Sequence, residues 1–198
     1  MTQLLADADI RPALRARLAR EHARRSDTDT VVVDELGLCM GTVRADLAVV
    51  NGVLHGYEIK SDRDSLVRLP RQIEVYGRVF DRVTLVVGER HLASAQALIP
   101  DWWAVLRIDG PASRPRLREA RRGRRNPARD ARALVELLWS DEAMALLEAR
   151  GLARGVRGKP RAVVWDRVCA HLTLDEIAGA VRERLKATAG QRGSPPSQ

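Results

Sequence analysis

Asn51-Gly52 stands between two apolar stretches, RADLAVV and VLHGYEIK, and Asn-Gly in that setting is the strongest short-range signal for a β-hairpin. Strands are predicted over residues 45–50 and 53–60. Three charges interrupt them: Asp46 in the first, Glu58 and Lys60 at the end of the second. Glu58 and Lys60 are two apart and share a face. A strict two-residue loop would pair Asp46 with Tyr57 and turn Glu58 to the opposite side. A bulge at Gly56, or a three-residue loop closed by a left-handed Gly52, brings Asp46 and Glu58 to one face, and one of these devices is expected.

Two carboxylates held that close repel, and each has its pKa raised unless a cation intervenes. Oxygen-only ligation suits magnesium, with manganese as a substitute, and disfavours zinc. Lys60 supplies a fixed positive charge beside such a metal, suited to orienting a water and stabilising charge on a phosphorus centre. An acid-x-Lys triplet alone is weak evidence. Here lysine is scarce, with only Lys60, Lys159 and Lys186 in the chain, and one of the three follows Glu58 in a strand whose partner carries the aspartate.

Around this hairpin, residues 3–25 place Leu4, Leu5, Ile10, Leu14 and Leu18 at helical spacing, with a break expected near Pro12, and residues 26–30 read as a polar turn. DELGLCMGTV, which contains Glu35, fits either a helix end or a strand end. Leu66, Leu69, Ile73, Tyr76 and Phe80 form a helical stripe begun or kinked at Pro70, with Asp64 as its expected cap. DRVTLVVGE reads as a buried strand, HLASAQALI as a helix and WWAVLRI as a strand. Strand and helix alternating after a hairpin imply a mixed sheet covered by helices. DARALVELLWSDEAMALLEARG reads as two helices with Ser140 as the cap between them. A further helix follows, then a last one opened by a Thr173–Glu176 capping box and ending near Ala187.

Asp46, eleven intervening residues, Glu58-Ile59-Lys60 and then Gln72-x-x-x-Tyr76 together resemble the PD-(D/E)xK nuclease superfamily, in particular its RecB-like branch with a Gln-x-x-x-Tyr element. The likeness spans roughly residues 30 to 108, and the longer string GYEIKSDRDSLVRLPRQIEVYGRVFD resembles a set of bacterial and phage proteins of that superfamily. It implies a restriction-endonuclease-like α/β fold: a mixed central sheet flanked by helices, here with a C-terminal helical appendage. It also implies magnesium-dependent DNA cleavage. By position, Asp46 and Glu58 would bind metal with Glu35 assisting, Lys60 would act on the water, and Gln72 and Tyr76 would line the site. Ala45 departs from the family's Pro-Asp pair.

The charge balance, 34 Lys plus Arg against 26 Asp plus Glu for a net +8, is local as much as global. Nine arginines fall between Arg107 and Arg129 against Asp109 and Glu119, a phosphate-binding strap by charge. Arg121, Arg122, Arg124 and Arg125 are its densest part. The expected organisation is therefore a nuclease-like core over residues 1–110, a basic linker over 111–129, a helical appendage over 130–187 and a disordered tail over 188–198. No apolar run approaches the ~20 residues of a membrane span and the N-terminus lacks a signal-peptide pattern, so a cytoplasmic location is expected. Two distant cysteines, Cys39 and Cys169, offer no zinc spacing. DNA is the expected partner, RNA offers the same phosphates, and a homodimer would suit cutting of both strands. The rival reading is a non-catalytic nucleic-acid-binding protein with the same fold, and a third is a subunit that cuts only with a partner.

Overall fold

The computed structural model describes residues 4–24 and 29–192. It is an α/β protein whose six strands form one mixed sheet in sequence order. Strands β1 (Val31–Leu38), β2 (Val43–Val50) and β3 (Leu54–Lys60) make an antiparallel meander. β3, β4 (Arg82–Gly88) and β5 (Ala104–Asp109) are parallel, crossed by helices α2 (Leu69–Val79) and α3 (Leu92–Leu98). β6 (Arg116–Arg121) closes the far edge antiparallel to β5. The ambiguous DELGLCMGTV is thus the end of β1 and a turn, in which Cys39, Met40 and Gly41 all have positive φ (46°, 55° and 82°).

Val50 pairs with Leu54, leaving a three-residue loop. Asn51 closes it: its N–H donates to the Val53 carbonyl at 3.1 Å and its side-chain oxygen accepts from the Val53 N–H at 3.0 Å. Gly52 does not take up a left-handed conformation. Pairing runs without a bulge through Ala48 and Gly56 to Leu47 and Tyr57, a register that sets Asp46 across from Glu58. Gly56 has a different use: a Cβ there would meet the ring of Phe80 at 2.6 Å.

Helix α1 (Asp7–Arg24), continuous through Pro12, covers one sheet face. Its Ile10, Leu14 and Leu18 bury against Leu47, Val49, Tyr57 and Ile59. The other face carries α2 and the four C-terminal helices: α4 (Ala131–Val135), α5 (Ser140–Glu148), α6 (Arg161–His171) and α7 (Leu174–Arg192). These share one apolar cluster with the sheet, in which Phe80, Trp103, Leu134, Trp165 and Ile177 are buried together, so the C-terminal helices are part of the core and not an appendage to it.

Several local expectations are corrected. Residues 111–129 are a clamp more than a linker: they supply β6, and Asn126 donates to the carbonyls of Gly77 (2.6 Å) and Phe80 (2.8 Å). The buried Arg129 reaches buried Asp81 at 2.9 Å. The buried side of α2 is Leu69, Gln72, Val75, Tyr76 and Val79, a stripe turned enough to take Gln72 inside. Asp64 does not cap α2; it accepts from the N–H and hydroxyl of Ser61. Ser140 is the first helical residue of α5, after Trp139, whose N–H donates to Glu142. The Thr173–Glu176 box forms as expected. α7 continues to Arg192, past the expected end; the rest of the expected tail (193–198) and part of the expected polar turn (26–28) lie outside the described residues. Among the described residues no helix is long and apolar enough to cross a membrane.

Candidate active site

The site begins with a slip in strand alternation. On β1, Val31 and Val33 face the helical cluster, but past Glu35 it is Leu36 and Leu38 that do so. On β2 the helical cluster takes Val43 and Ala45 before Asp46, and Ala48 and Val50 after it. Both strands lose one step at the same level, so their register is unchanged: Asp34 pairs with Leu47 and Leu36 with Ala45, which sets Glu35 opposite Asp46. Glu35 absorbs the slip with φ of 50°, a left-handed conformation uncommon for a non-glycine residue.

At this level the β2–β3 ladder ends. The Asp46 carboxylate, in place of a backbone carbonyl, accepts the Ile59 N–H at 2.6 Å. Beside it opens a cleft of about 520 Å³ lined by Arg11, Glu35, Asp46, Glu58, Lys60 and Gln72. Glu58 is 1% exposed and Lys60 3%. One Glu58 oxygen accepts from Lys60 Nζ at 2.5 Å and from Gln72 Nε2 at 2.6 Å. The other accepts from the Tyr76 hydroxyl. A buried carboxylate is tolerable only when paired and hydrogen-bonded, and β3 and α2 supply three donors. Burial, followed by the charge of Glu58, pushes the Asp46 carboxyl up to about 7, with the Ile59 N–H, Arg11 and Lys60 working against the rise. Burial and Glu58 hold the Tyr76 phenol well above its ordinary range, as a neutral donor.

The structure therefore joins Glu58, Lys60, Gln72 and Tyr76 directly and sets Asp46 against them. It does not gather Glu35 with Asp46 and Glu58 as a third metal ligand. Among the described residues no three Asp, Glu, His or Cys side chains cluster as a ready metal cage, and Glu35 instead meets Arg11 at 3.2 Å and Arg44 at 3.7 Å. The sequence reading missed Arg11. From α1 it donates to the main-chain oxygen of Asp46 at 2.8 Å and lies 3.6 Å from its carboxylate. It also pairs with Asp7 at 2.9 Å. The available signal was the Asp7–Arg11 spacing of four on a helix.

The four basic positions of the strap do not form one free patch. Arg121 donates to the carbonyls of Trp103 (3.0 Å) and Pro100 (2.9 Å). Arg122 pairs with Glu119 at 3.0 Å, and Arg125 lies 3.5 Å from Asp81. Arg124 is exposed, and its guanidinium has no ion-pair partner among the described residues. Of the basic residues on the last helix, Arg184 pairs with Glu142 and Lys186 with Asp29.

Sheet and cleft together define a class: a mixed α/β protein with a buried Glu–Lys–Gln–Tyr cluster where an antiparallel meander meets a parallel layer. Residues 1–192 match the family model of Bacteriophage P4 protein cII, and the chain belongs to that family. Protein cII of Enterobacteria phage P4 is 29% identical over 124 residues, which cover 63% of this chain. The match spans about half (46%) of that relative's length. Among solved structures, a protein of unknown function from Silicibacter pomeroyi aligns at 17% identity over 92% of this chain and 94% of its own, with a TM-score of 0.38.

Proposed function

We propose that the chain is a metal-dependent nuclease of the PD-(D/E)xK type, hydrolysing DNA phosphodiester bonds in the cytoplasm. The observation that carries this reading is the convergence of Asp46 from β2, Glu58 and Lys60 from β3, and Gln72 from α2 on one cleft, with the buried Tyr76 of α2 holding Glu58 from behind. The donor set fits magnesium or manganese. Asp46 keeps one oxygen outside hydrogen-bonding distance of Arg11, Glu58 keeps a lone pair beyond its bond to Tyr76, and magnesium is commonly held by one or two carboxylates with waters and substrate phosphate.

A cation bound there supplies Lewis-acid activation of the phosphate and of an attacking water. Asp46 and Glu58 hold it, while Gln72 and Tyr76 keep the Glu58 carboxylate in one orientation. Lys60 Nζ, fixed at 2.5 Å from Glu58, orients the water and offsets negative charge building on the phosphate.

A non-catalytic nucleic-acid-binding role is the second reading. It is favoured by Arg11, which already compensates the carboxylates of the cleft, and by the three donors that already serve Glu58. A panel of labelled single-stranded, duplex and branched DNA and matching RNA, incubated with magnesium, manganese or EDTA, separates the two. Metal-dependent cleavage of DNA supports the nuclease; retention of DNA without cleavage in any metal supports the binder.

A further inference from the structure

A second cleft, of about 900 Å³, lies at the other end of the sheet and on the face covered by α1. The two sites share β3. Its Glu58 and Lys60 serve the carboxylate site near the strand's C-terminal end, whereas His55 and Tyr57 line the second cleft near its start. Arg82 opens β4 opposite His55, and Arg121 closes β6 opposite Val105, so both arginines stand at this same end.

The polar groups of the cleft are unevenly matched. Its two acids are already engaged, Glu21 with Arg17 at 2.8 Å and Glu119 with Arg122 at 3.0 Å. Arg82 is exposed and has no carboxylate partner among the described residues. Arg121 is held by two neutral carbonyls, which fix its position without cancelling its charge. Asp101 acts on it only at a distance, and burial, the larger influence, draws its pKa down. Both ring nitrogens of His22 are shut off from water and lack a hydrogen-bond partner. A buried polar group without a partner is costly, and here that group is the His22 imidazole; beside it, two guanidiniums without a carboxylate partner among the described residues line the same cavity, of a size typical for small ligands.

We propose that this cleft binds a phosphate-bearing ligand of nucleotide size, with Arg82 and Arg121 taking the phosphate oxygens and His22 a further polar group. Guanidiniums match phosphate oxygens in pairs, and a cation pre-positioned by carbonyls loses little freedom on binding. Two sources carry this chemistry, a free nucleotide and the backbone of a nucleic-acid strand. The site stands whether or not the carboxylate cleft cuts DNA.

Calorimetric titration of the full chain with inorganic phosphate, ATP and a short oligonucleotide with hydroxyl ends tests it. Saturable binding of ATP or of the oligonucleotide is expected, the tighter of the two identifying the source. Arg82→Ala should weaken it about tenfold, the loss of one charge-assisted contact, and His22→Ala should weaken it too. Arg154→Ala, which removes an exposed arginine elsewhere, should leave it unchanged. Absence of saturable binding to any of the three probes overturns the proposal. So does an Arg82→Ala protein that binds like wild type, or an Arg154→Ala protein weakened as much as Arg82→Ala, which would mark diffuse charge attraction.

Discussion

Arg11 donates to the main-chain oxygen of Asp46 at 2.8 Å while its guanidinium lies 3.6 Å from the Asp46 carboxylate. A charge carried in from the N-terminal helix thus stands among acids that a divalent cation would also seek. Two cations cannot share that position at full strength. Arg11→Gln is therefore expected to bind manganese about tenfold more tightly than wild type, about 1.4 kcal/mol. Titration followed by electron paramagnetic resonance of free manganese measures it, and equal affinities would show that Arg11 and metal do not compete.

Glu58 depends on its donors. Tyr76→Phe removes one hydrogen bond and leaves one carboxylate oxygen short, an expected loss of about 1–3 kcal/mol. Lys60→Met strands a buried charge and should cost about 3–5 kcal/mol. Urea unfolding of the two variants should reproduce that order. Similar stability of the Lys60→Met protein and wild type would show that the pair is not closed to water.

The ring of Phe80 occupies the space a side chain on Gly56 would need, at 2.6 Å. Gly56→Ala should destabilise the fold by about 1–3 kcal/mol through overpacking, read as a lower melting temperature. An unchanged melting temperature would mean that α2 shifts freely against β3, and with it Gln72 and Tyr76.

His55 sets a pH dependence. Burial first, then the charges of Arg82 and His22, lower it to about 3. Its ring bonds to Thr84 at 2.8 Å and to Tyr57 at 3.3 Å. An unfolded histidine titrates near 6.5, so between about 6.5 and 3 the unfolded chain takes up a proton that the folded chain refuses. The contribution is full above pH 6.5 and lost as pH falls through that window. Asp46, raised to about 7, takes up a proton in the folded chain over the same range and works in the opposite sense, so the His55 effect is read as a difference: in urea unfolding from pH 7.5 to 4, wild type should lose stability relative to His55→Gln. Equal slopes for the two proteins would place the acid sensitivity elsewhere.

The site was legible where chemistry and strand period coincide. Glu58-x-Lys60 on one face and Gln72-x-x-x-Tyr76 one helical turn apart are local relations, and the fold only had to bring α2 onto β3. The need for a one-residue irregularity, a bulge at Gly56 or a three-residue loop, followed from parity alone, but its form did not: it is the loop, closed by the Asn51 side chain, and no rule of period distinguishes that from a bulge or a left-handed glycine. Arg11 was not legible, because its contacts to Glu35 and Asp46 cross 24 and 35 residues and depend on how α1 lies over the sheet. The partners of the arginine-rich strap were not legible for a related reason. Composition counts charges but not their partners: Arg122, Arg125 and Arg129 lie against carboxylates of the protein itself, while Arg121 is held in place by main-chain carbonyls.

The most direct measurement is conversion of supercoiled plasmid to nicked and linear forms in magnesium or manganese, comparing wild type with Asp46→Asn and Lys60→Gln proteins shown to be folded by circular dichroism. Nicking by wild type that EDTA abolishes, and that falls at least a hundredfold (about 2.7 kcal/mol) in both variants, is the expected result. Intact plasmid with wild type in either metal, or equal nicking by all three proteins, would contradict the assignment of Asp46, Glu58 and Lys60 as the hydrolytic centre.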